Sequence, residues 1–254
     1  KLFARRLKGA EKIEEATQRL KADPEGDEAA NADLVIEAVA EKLSVKQTVF
    51  ADLEKIIKPD AILATNTSAI RIEDIATALD DPSRLIGLHF FSPVHKMKLV
   101  EIIKGERTTD ETLAKAFDFV LKIKKIPIIV KDSRGFYTSR VFSTYVHEGM
   151  ALLSEGNDPQ LIESAGKKAG MPVGPLALMD EINLNLSKKV MIQTKKDFEE
   201  EGKEFVEYQG DDVLNLMVEK LKRTGKAEGA GFYEYPDNGK KYLWPKLREY
   251  FPGS

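Results

Sequence analysis

Apolar positions along the chain fall into two kinds of block. ADLVIEAVA (32–40), AILATNT (61–67), RLIGLHFF (84–91), MKLVEIIKG (97–105) and KIPIIVKD (125–132) are short, nearly unbroken apolar runs, the pattern of strands covered on both faces of a sheet. Between them the spacing lengthens to three and four. SVKQTVFADLEKIIKP (44–59) sets Val45, Val49, Leu53, Ile56 and Ile57 on one face, with Ser44 as N-cap and Pro59 just past the end, which predicts a helix. IEDIATAL (72–79) and residues 111–121 predict two more. At the start, Leu2, Phe3, Leu7, Ile13, Ala16 and Leu20 make a broken helical stripe ahead of the polar connector KADPEGDEAAN (21–31).

Strands alternating with helices of these lengths predict an α/β domain around an open, largely parallel sheet. From Phe136 the pattern changes. FYTSRVFSTYVHEGMALLSEG (136–156), DPQLIESAGKKAG (158–170) and GPLALMDEINLNL (174–186) read as successive helices with short Gly/Pro breaks, and no strand signal returns before 231–235. Two domains are expected, over residues 1–133 and 134–254, with the boundary at KDSRG.

Composition narrows the possible functions. The 42 acidic and 39 basic residues, net charge -3, are interspersed, so there is no basic face for nucleic acid. With no cysteine and three histidines, disulfides, thiolate metal sites and multi-histidine metal sites are excluded or disfavoured. No run approaches the roughly 18 apolar residues of a membrane span. The first residues are too charged for a signal peptide.

In open α/β sheets, ligands bind outside the C-terminal ends of the strands. Those ends carry residues 37–41, Thr65-Asn66-Thr67-Ser68 and His89-Phe90-Phe91-Ser92-Pro93, three polar clusters that converge on one site if the strands are neighbours. His89 is the best base candidate, because an imidazole ordinarily titrates near pH ~6.5. Glu101 can fix its tautomer and orient the ring if the turn at Pro93 folds the next run back. Taken one at a time, these residues have ordinary readings. His89 can be a hydrogen-bonded structural imidazole and Glu101 a solvated strand end. Asn66 and Ser68 can cap the next helix, and Glu41 and Lys46 can form a solvated helix entrance.

ADLVIEAVAEKLSVKQ, ATNTSAI, GLHFFSPVHKMKLVEII, KDSRGFYTSR, GMPVGPLALMDEI and GAGFYEY, in this order, closely resemble the L-3-hydroxyacyl-CoA dehydrogenases of fatty-acid β-oxidation. The phrases around HFFSPVHKMKLVEIIKGE and DEINLNL resemble the dehydrogenase region of multifunctional α-subunits that join it to an enoyl-CoA hydratase. The resemblance implies NAD-dependent oxidation of an L-3-hydroxyacyl-CoA to the 3-ketoacyl-CoA, with His89 as base, Glu101 as its carboxylate partner and Ser68 contacting both substrate hydroxyl and cofactor. It places Val39, Ala40, Glu41, Lys46, Ser68 and Ser92 beside the cofactor, and Ser68 and Ser139 beside the substrate. Its partners would be an acyl-CoA thioester and a second copy of the chain or a larger β-oxidation complex. The implied compartment is the cytoplasm in a bacterium, or a mitochondrion or peroxisome in a eukaryote.

Two positions depart from the family pattern. Ser92 and Ser139 stand where Asn is common, and a hydroxyl is shorter with one donor rather than two, so the geometry shifts or a water intervenes. His95 and His147 read as a charged turn and a helical surface beside Glu148, Lys96 and Lys98 as a solvated turn, and Pro172, Gly174 and Pro175 as a helix-breaking turn. The glycine-rich phosphate turn of dinucleotide folds, G-x-G-x-x-G, is not in the sequence. The expected architecture is therefore an incomplete Rossmann-like sheet, its first β-α-β unit missing, followed by an all-α C-terminal domain. Residue 1 would fall roughly 50 residues into the family's dehydrogenase region, and the C-terminus also looks interrupted. Such a chain is expected to bind NAD poorly; the alternative reading is a non-catalytic acyl-CoA-binding and dimerisation piece of its parent.

Overall fold

The structure is a computed structural model that describes residues 3, 5, 7–200 and 202–253. Leu2 of the opening stripe lies outside the described residues. Within the stripe, Ile13 and Ala16 fall on helix α1 (Ala10–Gln18), which buries none of its residues. Contacts divide the chain into two compact units, Lys1–Thr138 and Ser139–Ser254.

In the first unit, strands β1 (Leu34–Glu37), β2 (Ile62–Thr65), β3 (Leu85–Phe90), β4 (Leu99–Lys104) and β5 (Ile126–Lys131) stand side by side in chain order. Neighbours are parallel except β3 and β4, which run antiparallel through the turn at Pro93. Helices α2 (Leu43–Glu54), α3 (Ile72–Ala76) and α4 (Asp110–Lys122) complete the unit. Alternate strand residues serve opposite faces. Leu63, Leu85 and Ile103 pack with Phe50, Ile72 and Ile75, whereas Ala64, Ile86, Leu88, Val100 and Ile102 pack with Ala116 and Val120. Burial on both faces explains the unbroken apolar runs of β2, β3 and β4, since each buried Leu, Ile or Phe contributes about 1.5–3 kcal/mol, whereas the edge strands β1 and β5 leave Ile36, Ile126 and Ile129 exposed. Gly87 interrupts its run because a Cβ there would lie 2.8 Å from Ile103 and 2.9 Å from Ile72.

Three local expectations are corrected. Strand β1 stops at Glu37, because the Val39 N–H donates to the Glu37 carboxylate at 2.6 Å instead of to a neighbouring strand. The N-cap of α2 is Lys42 in extended conformation, so Ser44 sits inside the first turn. Helix α3 is capped neither by Asn66 nor by Ser68. The Asp132 carboxylate, just past β5, accepts the N–H groups of Ile72 and Glu73 at 3.0 and 2.9 Å.

The second unit contains α5 (Thr138–Ser154, which opens on the last residue of the first unit), α6 (Pro159–Lys168), α7 (Pro175–Ile182), α8 (Leu184–Glu200), α9 (Asp211–Asn215, continuing as a π-helical turn over Leu216–Lys220) and α10 (Leu247–Tyr250). It is not wholly helical: β6 (Tyr233–Glu234) and β7 (Tyr242–Leu243) form a small antiparallel pair. Met150, Leu153, Ile162, Leu176, Met179, Met217, Phe232 and Leu247 form its core. Two buried carboxylates pin that core. Glu163 accepts from the Leu176 and Ala177 N–H groups and the Tyr233 hydroxyl. Asp180 accepts from the N–H groups of Phe232 and Tyr233 and the Tyr235 hydroxyl, and burial pushes its carboxyl up to about 6. His147 is half-buried on its helix and not fully solvated: its ring stacks on Tyr208 with centroids 4.5 Å apart, and burial lowers its pKa. No helix among the described residues is long and apolar enough to cross a membrane.

Candidate active site

The antiparallel pairing of β3 and β4 sets His89 directly opposite Glu101, and cross-strand partners point to the same face. His89 Nδ1 lies 2.8 Å from Glu101 Oε2. Glu101 is fully buried and His89 is 6% exposed, so Glu101 is not a solvated strand end. A buried carboxylate is tolerated only when its oxygens are satisfied. Here Oε2 also accepts the Thr138 hydroxyl at 2.7 Å, and Oε1 accepts the N–H groups of Tyr137 and Thr138 at 3.1 and 2.8 Å. Burial opposes ionisation, but the hydrogen bonds from His89 and Thr138 outweigh it and hold Glu101 below the usual carboxylate range. An ionised carboxylate only accepts, so the His89 proton sits on Nδ1 and the Nε2 lone pair is free to take another.

SRGFYT supplies the backbone donors by a tight turn. Gly135 and Phe136 both adopt positive φ, 71° and 47°, and for a bulky residue such backbone costs about 1–3 kcal/mol. Burial of the Phe136 side chain and the two N–H bonds to Glu101 offset it. The imidazole sits among aromatic rings, with its centroid 4.5 Å from Phe91 and 6.0 Å from Phe136.

A second polar cluster joins the ends of β1 and β2 to the first turns of α2. Lys46 is 1% exposed, not part of a solvated helix entrance. Its Nζ meets Glu37 Oε1 at 2.8 Å and Glu41 Oε2 at 3.2 Å. Glu37 further accepts from the Thr65 hydroxyl at 2.7 Å. Glu41, whose side chain is 43% exposed, accepts from the Thr67 hydroxyl and the N–H groups of Ser68 and Ala69. Burial pushes its pKa up, but the bonds from Thr67 and Ser68 and the Lys46 charge prevail, leaving it lowered. Asn66 Oδ1 accepts the Phe90 N–H at 2.9 Å. Hydrogen bonds thus link the ends of β1, β2 and β3, and the three polar clusters converge at one rim of the sheet.

Val39, Ala40 and Ser68 are exposed at that rim, and Ser92 is exposed in the β3–β4 turn. Ser139 belongs to the second unit and is half-buried in the first turn of α5. Glu37, Thr65 and Thr67 were marked in the sequence only as members of strand-end polar clusters, with no role of their own, and Thr138 was not marked at all. Glu37 had a readable signal, since a carboxylate closing an apolar strand needs a buried cation and Lys46 follows one helical entry later. Thr138 had none, because its contact depends on the turn at Gly135-Phe136.

The rim suits the ribose and nicotinamide end of a dinucleotide. The ionised, partly open carboxylate of Glu41 can accept ribose hydroxyls, and the Ser68 and Ser92 hydroxyls are accessible. Among the described residues no cluster of His, Cys, Asp or Glu could hold a metal ion.

Comparison with known proteins agrees with this geometry. Residues 1–133 match the model for the 3-hydroxyacyl-CoA dehydrogenase NAD binding domain, and residues 135–235 match that for the C-terminal domain. The chain is 41% identical over 209 residues to a fatty acid oxidation complex subunit alpha of Vibrio cholerae, covering 82% of this chain and 28% of the relative. It is 37% identical over 240 residues to a glyoxysomal fatty acid beta-oxidation multifunctional protein of Brassica napus, covering 94% of this chain and 32% of the relative. The chain thus spans about a third of the length of these curated relatives. Among solved structures, the (S)-3-hydroxybutyryl-CoA dehydrogenase of Ralstonia eutropha aligns with TM-score 0.80 and 31% identity over 93% of this chain and 82% of its own. A 3-hydroxybutyryl-CoA dehydrogenase from Escherichia coli aligns with TM-score 0.81 and 34% identity, covering 93% of this chain and 50% of its own. With both halves matched in order and a buried imidazole–carboxylate pair at the ends of its sheet strands, the chain belongs to the 3-hydroxyacyl-CoA dehydrogenase family.

Proposed function

We propose that the protein containing this chain oxidises L-3-hydroxyacyl-CoA to 3-ketoacyl-CoA, with His89 as general base and Glu101 as its oriented partner. The observation that carries this reading is the 2.8 Å contact between His89 Nδ1 and Glu101 Oε2, which commits Nε2 to accept a proton. The substrate's C3 hydroxyl gives its proton to Nε2. As that bond breaks, the C–O bond becomes a carbonyl, and the positive charge developing on the imidazole is balanced by the buried carboxylate. NAD, when bound, supplies the acceptor for the hydride that leaves C3. Glu41 would hold the ribose, with Lys46, Val39, Ala40 and Ser92 beside it. The Ser68 hydroxyl would bridge the substrate hydroxyl and the cofactor, and Ser139 would face the substrate. Residues 1–133 form the cofactor part and 134–254 the substrate part. The same reading puts the protein in the bacterial cytoplasm, or in a eukaryotic organelle.

The test is NADH production from 3-hydroxybutyryl-CoA by the whole protein. His89→Gln is expected to lower kcat by about 10²–10⁴-fold, the usual worth of a positioned base; undiminished turnover would assign the base elsewhere. The helical unit would also carry self-association, a reading favoured by Leu186 and Val190, one helical turn apart on α8 and 52% and 54% exposed. Sedimentation velocity decides it: a monomer at every concentration removes that part of the proposal.

A further inference from the structure

Glu101 receives more than the histidine. Its Oε2 is shared between two donors, His89 Nδ1 at 2.8 Å and the Thr138 hydroxyl at 2.7 Å. Its Oε1 is held by the N–H groups of Tyr137 and Thr138. Four donors occupy roughly the four lone-pair sites of a carboxylate, so its plane is fixed, and with it the line along which the imidazole hydrogen bond points. The titratable group facing Glu101 across the β3–β4 pair is His89; the groups facing it from the other side, at Tyr137 and Thr138, are uncharged amides and one hydroxyl. Thr138 is the only one of these residues that contacts Glu101 through both backbone and side chain. Its hydroxyl must donate, because the ionised carboxylate cannot.

We infer that Thr138 is a positioning residue for the reaction: its hydroxyl fixes the Glu101 carboxylate and draws off part of the Oε2 charge that His89 would otherwise see. This rests on the assignment of His89 and Glu101 as base and partner. Two consequences follow from the shared oxygen. Without the hydroxyl, Oε2 becomes a stronger acceptor for Nδ1–H alone, which favours the imidazolium. The carboxylate also loses one of its four restraints, so the Nε2 lone pair is aimed less narrowly at the substrate hydroxyl, and misalignment of a base slows the chemical step more than it weakens binding.

The experiment compares Thr138→Val, Thr138→Ala and Thr138→Ser in the whole protein. Alanine carries the same expectation as valine and adds no methyl beside a buried charge, so it stands in if the valine variant does not fold. Two readouts are taken. The first is the Nδ1–H proton resonance of His89 in labelled protein without substrate or cofactor. The second is the pH profile of turnover with 3-hydroxybutyryl-CoA. Removal of the hydroxyl is expected to move the Nδ1–H resonance downfield, shift the acid limb of kcat/KM to higher pH, and lower kcat about tenfold with KM nearly unchanged. Serine, which keeps the hydroxyl, is expected to restore all three. Valine and alanine variants with the parent's resonance and profile would overturn the inference. So would a serine variant that behaves like alanine, since the methyl and not the hydroxyl would then matter. If no form of the protein oxidises the substrate but the resonance still moves with alanine and returns with serine, the hydroxyl's hold on the Glu101–His89 pair stands, while the functional reading fails and takes the role in the reaction with it.

Discussion

Glu101 and His89 are direct partners across the antiparallel β3–β4 pair, and one carboxylate oxygen of Glu101 holds the imidazole while the other holds the backbone at residues 137 and 138. The carboxylate therefore belongs both to the chemistry and to the fold.

Glu101→Gln separates the two contributions. The amide keeps one acceptor oxygen but turns an NH₂ group toward donors, and it carries no charge to balance an imidazolium. A loss of roughly 10²–10³-fold in kcat is expected, within the range for general base catalysis, measured by NADH production. The same variant reports on acid stability. The folded pKa of Glu101 is lowered, so the ionised form adds stability that is present above the unfolded value near ~4.3 and is lost as pH falls through the folded value. The melting temperature of the parent is expected to exceed that of Glu101→Gln at neutral pH and to approach it below about pH 4. A gap that stays constant from pH 7 to pH 3 would mean the charge is not what stabilises.

Asp180 behaves with the opposite sign. Burial raises its carboxyl to about 6, so between pH ~4 and its folded value the unfolded chain releases a proton that the folded chain retains. Stability from this group is fully present below the unfolded pKa and declines as pH rises through about 6. Asp180→Asn removes that slope and also breaks the acceptor set for Phe232, Tyr233 and Tyr235. Melting curves are expected to show the parent's advantage over the variant shrinking from pH 4 to pH 7. An advantage that grows over that range would show that the three donors outweigh burial.

The central strands β2, β3 and β4 were legible because both their faces are buried, so each wrote itself as an apolar run; the edge strands β1 and β5 carry the same kind of run although Ile36, Ile126 and Ile129 are exposed. The convergence of the three polar clusters was legible because consecutive strands are neighbours in the sheet. The pairing of His89 with Glu101 needed one further condition, the reversal at Pro93, which the sequence allowed without requiring. Contacts set by long-range register were not legible. Asp132, at the end of β5, caps α3 some sixty residues earlier in the chain, and no local rule distinguishes it from a solvated loop aspartate. Lys46 misled for a similar reason: nothing nearby in sequence shows that its ammonium lies beneath the rim and not in water. Of the small β6–β7 pair, β6 falls within the strand signal at 231–235, but β7, two residues long, is too short for periodicity to register.

Lys46 offers a measure of how strongly that rim is built. Removing one member of a buried ion pair leaves the other charge uncompensated and costs about 3–5 kcal/mol. Lys46→Met is expected to lower the urea-unfolding free energy by about that amount, because Glu37, 4% exposed, keeps only the Thr65 hydroxyl and the Val39 N–H. Adding Glu37→Gln should recover part of the loss, since the second change removes the stranded charge. A loss below about 1 kcal/mol for Lys46→Met, the scale of an exposed pair, would place the ammonium in contact with water.

The cofactor side is the most exposed to test. These 254 residues include Glu41, Lys46 and Ser68, proposed above to lie beside the cofactor, but no G-x-G-x-x-G turn, the element whose helix N-terminus holds the pyrophosphate in dinucleotide folds. A polypeptide of these residues alone is expected to bind NADH with Kd near about 1 mM and not about 1 μM, a difference of roughly 4 kcal/mol, read by NADH fluorescence titration. Residual binding should weaken further in Glu41→Gln, which removes the charge that would accept the ribose hydroxyls. Micromolar binding by the isolated polypeptide would mean that other groups on this chain take the phosphates. Weak binding that is indifferent to Glu41→Gln would instead remove Glu41 from the cofactor site while leaving the His89–Glu101 pair untouched.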